Sequence, residues 1–137
     1  MDGDQALTQS LRQERLSIGF GCSSLAGGEE IVRLIQSCVD PIPQGSLLAT
    51  LDRRTAMGET VSSLLGLQLV VFPAGALSAI KEITTHSPLA LARTKTSNVA
   101  EAAALASLGP AARLIMTRRQ GRFCTCAVAA LSIEVQL

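Results

Sequence analysis

Between two stretches of helical periodicity lies Leu47-Leu48-Ala49-Thr50-Leu51, an apolar run that stops abruptly at Asp52. A run this short, with no alternation of polar and apolar residues, reads as a strand buried on both faces. Such strands belong to sheets covered by helices on either side, so this run points to a layered α/β architecture before any other feature is weighed.

The neighbouring segments supply the layers. Leu16 to Phe20 reads as a first strand. From Glu29 onward Ile31, Leu34, Ile35, Cys38 and Val39 recur at helical spacing until Pro41 and Pro43 stop the pattern. A second helix is expected over Met57 to Leu65, closed by Gly66, and a third strand over Leu67 to Phe72. Pro73 suits the first turn of a further helix through Ile83. Thr84 to Thr96, rich in hydroxyls, reads as a long loop, a kind of segment that often carries function. Asn98 and Glu101 have the spacing of a capping box at the head of an Ala-rich helix that ends at Gly109-Pro110. Arg113 to Thr117 and Phe123 to Leu131 form the last strands, joined as an antiparallel hairpin with Arg118, Arg119 and Arg122 around its tip. The expected fold is a three-layer αβα domain with a mixed, mainly parallel five-stranded sheet and a C-terminal antiparallel hairpin. It occupies residues 16–137 behind a polar leader, residues 1–15.

Composition narrows the chemistry. Hydrophobic residues make up 47% of the 137, yet Trp and Tyr are absent and Phe occurs three times, so the core is aliphatic. Stacking of bases on aromatic side chains is therefore not expected, and nucleic acid is not an expected partner. The apolar stretch Leu64 to Phe72 is broken by Gly66 and Gln68 and falls far short of the ~20 residues of a spanning helix, so no membrane partner is expected either. The start, MDGDQALTQSLRQERL, is acidic where a secretory signal is basic, and a cytoplasmic location is the default expectation. Four cysteines without framework spacing then read as reduced thiols. Net charge is +1, but residues 1–80 carry five arginines against eight carboxylates, and residues 81–137 seven basic residues against three glutamates. The basic half suits an anionic small molecule or a solvated surface.

The stretch Ile18-Gly19-Phe20-Gly21-Cys22-Ser23-Ser24 looks at first like a phosphate cradle. Its G-x-G-x-x-S pattern lacks the third glycine, the helix begins some six residues late, and Glu29 and Glu30 would repel a phosphate at that helix start. No Gly-Lys-Ser/Thr sequence is present, which excludes a P-loop. Cys22 nevertheless sits at a strand exit, where open α/β sheets place ligands, and Asp52 should reach the same edge. Two readings stay open for Cys22, a small thiol packing a turn or a nucleophile working with the sole histidine, His86. Cys124 and Cys126 share one strand face and Cys38 an apolar helix face, so they read as small core residues, and neither a metal nor another cofactor is expected.

Taken in order, IGFGCSS with GGEEI, LLATLD, LGLQLVVFPAGAL, SNVAEAAALASLG and RLIMTRRQGRFCTCAVAAL resemble the CobE family, which is also the C-terminal domain of the cobalamin-biosynthesis protein CbiG. The resemblance spans Leu16 to Leu131. It implies a role in corrin-ring synthesis, with a corrinoid or precorrin intermediate and other enzymes of that pathway as partners. Gly19, Gly21 and Cys22 match the family's first loop, Asp52 its aspartate after the second strand, and Val99, Ala100 and Glu101 its Ala-rich helix. Two positions depart from the family pattern: Ser23 and Ser24 stand where basic residues are common, and Lys95 or Thr96 where a glycine precedes the Ala-rich helix. Corrin intermediates carry several carboxylates around a flat apolar ring, which calls for scattered donors beside an aliphatic surface. The candidate ligand-binding residues are accordingly Gly21, Cys22, Ser23, Ser24, Asp52, Lys95, Ser97, Glu101, Arg118 and Arg119. Cys22, Asp52 and His86 are the candidate catalytic residues if the protein acts as a lyase or hydrolase on a precorrin.

Overall fold

A computed structural model describes residues 12–80 and 98–134. In chain order the elements are β1 (Arg12–Cys22), α1 (Gly28–Cys38), β2 (Leu47–Leu51), α2 (Thr55–Leu65), β3 (Gln68–Phe72), α3 (Ala74–Ser78), α4 (Val99–Leu108), β4 (Arg113–Gln120) and β5 (Cys124–Glu134). The five strands form one sheet in the order β3-β2-β1-β5-β4. β1 pairs parallel with β2 and β2 parallel with β3, whereas β5 pairs antiparallel with both β1 and β4. β5 alone therefore runs against the other four. This is the mixed, mainly parallel sheet with a C-terminal hairpin that the sequence leads one to expect.

Every residue of β2 is buried, as its unbroken apolar run requires. On one face of the sheet Ile18, Phe20, Leu48, Cys126 and Val128 pack against Ile31 and Ile35 of α1 and Val61 of α2. On the other face the side chains are small: Ala49 and Leu51 meet Leu77, Ala102 and Ala103, and Ala129 meets Ala104 and Leu105. Alanine against alanine brings the axis of α4 unusually near the sheet. A Cβ placed on Gly19 of β1 would lie 2.0 Å from the carbonyl oxygen of Ala100 and 2.8 Å from the amide nitrogen of Ala104. Gly19 is thus required by packing against a helix rather than by a turn.

Several boundaries differ from expectation. β1 begins at Arg12, inside the segment read as a polar leader, because β5 extends to Glu134 and pairs with it from Arg12 onward. Polar residues form strand there because a partner strand supplies the ladder, and the salt bridge Arg113–Glu14, at 2.8 Å, sits on that extension. Asp52–Arg54 form a 3₁₀ turn that lengthens the entry to α2. Pro73 is extended at the N-cap of α3 and does not enter its first turn. The remainder of the helix expected through Ile83, and the loop over 84–96, lie outside the described residues.

Gly66 closes α2 in the left-handed conformation, φ 70°, with its N–H bonded to the Ser62 carbonyl. At the head of α4 only half of a capping box forms: the Asn98 side chain accepts the Glu101 N–H at 3.1 Å, while the Glu101 carboxylate turns to a different strand.

Candidate functional site at the strand-exit edge

Because β1, β2 and β4 run one way and β5 the other, the end of β1, the end of β4 and the start of β5 meet at one edge of the sheet. The N-terminus of α4 arrives at the same edge, and a cleft of about 370 Å³ opens between them. Gly21, Cys22 and Ser23 form one wall, Asn98 and Val99 a second, Arg118 and Gln120 a third, and Phe123, Cys124 and Thr125 the last.

Each wall has a local cause. A Cβ on Gly21 would come within 3.2 Å of Thr125 Oγ1 and 3.4 Å of Val99 Cβ, so the glycine keeps the cleft floor open. The Ser23 N–H is bonded to the Phe123 carbonyl at 2.9 Å, which fastens the Cys22 loop to the hairpin. Phe123 adopts a positive φ of 65° and is 38% exposed, with the Arg122 guanidinium 5.2 Å from the ring centroid. A flat apolar face with a cation over it is thereby held at the rim.

The wall from β4 depends on irregular pairing. Its register with β5 slips by one residue between Leu114 and Met116 and again between Met116 and Arg119. Each bulge turns the following side chains to the opposite face. Leu114 accordingly packs under α4 while Met116 packs toward α1. Within the second irregularity, between Met116 and Arg119, Arg118 borders the cleft, and its backbone N–H donates to Glu101 Oε2 at 2.8 Å. Glu101 is fully buried beneath the strand. It acts as the backbone anchor that holds the bulge in place.

Three comparisons bear on what this edge belongs to. A family model described as the cobalamin synthesis G C-terminus matches residues 16–129, most of the chain. The chain belongs to the cobalamin synthesis G C-terminal family. A crystal structure of CobE, a protein from the cobalamin (vitamin B12) biosynthetic pathway, is similar with a TM-score of 0.71 and 25% identity, covering 86% of this chain and 94% of that one. A crystal structure of the cobalamin biosynthesis protein chiG from Agrobacterium tumefaciens str. C58 is similar with a TM-score of 0.61 and 26% identity, covering 88% of this chain and 99% of that one. No curated protein sequence matches the chain.

Within this cobalamin synthesis G C-terminal domain, Gly21, Cys22, Ser23 and Arg118 are brought together on the cleft, and Glu101 supports it from below. Ser24 is exposed in the turn beyond it. Asp52 reaches the same sheet edge, as the parallel pairing of β1 and β2 dictates, but it enters the exposed 3₁₀ turn and does not line the cleft. Arg119 points away from its neighbour: it borders a groove on the α1 side with Leu34, Ser37 and Cys38. The two arginines are therefore not a tip pair but consecutive strand residues on opposite faces, as strand geometry requires. His86, Lys95 and Ser97 lie outside the described residues. Asn98, Gln120, Phe123 and Thr125 are cleft residues that the sequence reading did not name as ligands. Phe123 carried the one usable signal, as one of only three aromatics placed beside a glycine turn.

A second cleft, between α3 and α4, is lined by Phe72, Ala76, Ile80, Leu105 and Ala106 among others. Among the described residues its lining carries no charged or hydroxyl side chain. Among the described residues no cluster of three or more His, Cys, Asp or Glu could hold a metal ion, and no helix is long and apolar enough to cross a membrane.

Burial pushes the Cys22 thiol above its ordinary value, and the nearby Arg54 offsets only part of this. The reactive form is the thiolate, so a raised pKa reduces its fraction at any pH below that value. Cys22 is expected to alkylate with iodoacetamide several-fold more slowly than an unhindered cysteine at pH 8. Mass-spectrometric time courses of the peptide carrying Cys22 check this, and the rate should climb as pH rises past the ordinary thiol range. Equal rates at pH 8 would refute the suppression of the thiol by burial.

Proposed function

We propose that the domain acts in corrin-ring synthesis by binding a tetrapyrrole or corrinoid acid at the strand-exit cleft, holding or handing it on to enzymes of the pathway. The observation that carries this reading is the convergence of donors and flat apolar surface at one edge. The N-terminus of α4, Arg118, Gln120, Ser23 and Thr125 surround Gly21, Val99 and the exposed Phe123 ring. A helix N-terminus and an arginine favour carboxylates, and the arginine can take one in a two-pronged bond. Family membership supplies the class of ligand. At about 370 Å³ the cleft is at the small end of ligand pockets, so it grips the edge of a macrocycle and its carboxylate arms and leaves the rest of the ring outside.

Titration of the purified protein with hydrogenobyrinic acid, followed by absorbance and by co-elution on gel filtration, tests this reading. Binding at micromolar concentration is expected. Arg118→Ala should weaken it by about tenfold or more, the effect of losing one charge-assisted bond. Absence of both a spectral shift and co-elution for the unaltered protein would overturn the proposal.

A further inference from the structure

All four cysteines belong to the cluster packed on the α1 face of the sheet. Their mutual geometry is unequal. Cys22 and Cys124 are partners across β1 and β5 at the edge of the ligand cleft. Cys38, the last residue of α1, instead reaches down onto the middle of the sheet, with its Sγ 3.6 Å from that of Cys126. Cys126 is fully buried, whereas Cys38 is half-buried and borders a groove of about 480 Å³ that it shares with Ser37 and Arg119. One thiol of the pair is thus open to a small reagent, and the other is open only to the first.

We infer that Cys38 and Cys126 form an oxidisable pair, in which a hydroperoxide entering the groove beside Arg119 converts the two thiols into a disulfide tying the end of α1 to β5. Nothing in the ligand-binding reading requires this, since neither residue lines the strand-exit cleft.

The chemistry closes without any further reagent. The Cys38 thiolate attacks one peroxide oxygen; an S–O bond forms, the O–O bond breaks, and the departing oxygen leaves as water after taking up a proton. Cys126 sulfur then attacks the Cys38 sulfenic acid; the S–S bond forms, the S–O bond breaks, and the hydroxyl leaves as a second water with the Cys126 proton. Two thiols lose two electrons and one hydrogen peroxide becomes two waters. The sulfurs need to close by about 1.5 Å to reach bonding distance, and Cys38 stands at a helix terminus, where one side-chain rotation and slight fraying supply such a shift. Burial pushes the Cys126 thiol upward; the groove reaches Cys38 and not Cys126, and this directs the initial attack to Cys38.

The test uses the full chain, fully reduced and then exposed to hydrogen peroxide at low millimolar concentration. Remaining thiols are alkylated in denaturant, and a tryptic digest is read without reduction. The expected product joins peptide 34–53 to peptide 123–137, with two of the four thiols lost. Because the second peptide holds both Cys124 and Cys126, Cys124→Ser assigns the bond: the link should survive in that variant. Cys38→Ser, at a half-buried position, should leave the remaining three thiols intact. A link through Cys22 or Cys124, a bond between chains, or loss of thiols without any link would each overturn the inference.

Discussion

Gly19→Ala is expected to destabilise the domain by about 3 kcal/mol or more, the upper range for overpacking a core, and to leave much of the chain unfolded at moderate urea. The new methyl group would meet backbone atoms of α4, 2.0 Å from the Ala100 oxygen and 2.8 Å from the Ala104 nitrogen, and backbone cannot rotate aside as a side-chain tip can. The whole of α4 would have to lift. That movement breaks the contacts of Ala102, Ala103, Ala104 and Leu105 with the sheet and displaces Asn98 and Val99 from the cleft. Gly75→Ala serves as the control, because a Cβ there meets nothing within 4 Å and the position is helical. It should be neutral or slightly stabilising, by up to about 1 kcal/mol. Urea midpoints of the two variants decide the matter, and equal midpoints would refute the close seating of α4 on β1.

Glu101→Ala is expected to cost about 2–4 kcal/mol. The substitution leaves the Arg118 N–H without its carboxylate acceptor and opens space in a fully buried position. Glu101→Gln keeps an acceptor oxygen of nearly the same shape and should lose less than half as much. The pair of variants separates loss of the hydrogen bond from loss of charge. Binding should respond as well: with the β4 bulge unanchored, Glu101→Ala is expected to weaken hydrogenobyrinic acid binding even at temperatures where the variant is fully folded. Unchanged affinity in a folded Glu101→Ala protein would show that the bulge holds its shape without the carboxylate.

The same two residues mark how far the sequence could be read. Gly19 belongs to a motif that was legible as strand and loop, and its position in β1 was expected. That it faces the backbone of a helix some eighty residues later was not, because a glycine carries no apolar or polar signal to show which neighbour it accommodates. Glu101 was legible as a capping residue from its spacing to Asn98, and half of that reading holds: the Asn98 side chain does cap the helix. Its carboxylate goes instead to Arg118, since a bulge seventeen residues along the chain presents an N–H that needs an acceptor inside the protein.

Arg118 and Arg119 tell the same story at the cleft. As a sequence they read as a basic pair beside a turn. Strand geometry sends adjacent residues to opposite faces, and the two slips of register in β4 decide which face each one gets.

The sequence by itself determined the layers of this protein: an unbroken apolar run for a strand buried on both faces, helical periodicity for the α1 covering, an Ala-rich segment capped by Asn98, and glycine and proline punctuation between them. These are local properties, written in the spacing of residues along a single stretch of chain. The tertiary structure alone decided that β5 lies between β1 and β4, so that the hairpin and the Cys22 loop end at one edge. It also decided which face each of the two arginines takes and that Cys38 comes to rest on Cys126. Those outcomes depend on contacts between separate segments, β1 with β5 and α1 with β5 across most of the chain and β4 with β5 across the hairpin, and pairing is a property of two strands at once, which no single stretch of sequence contains.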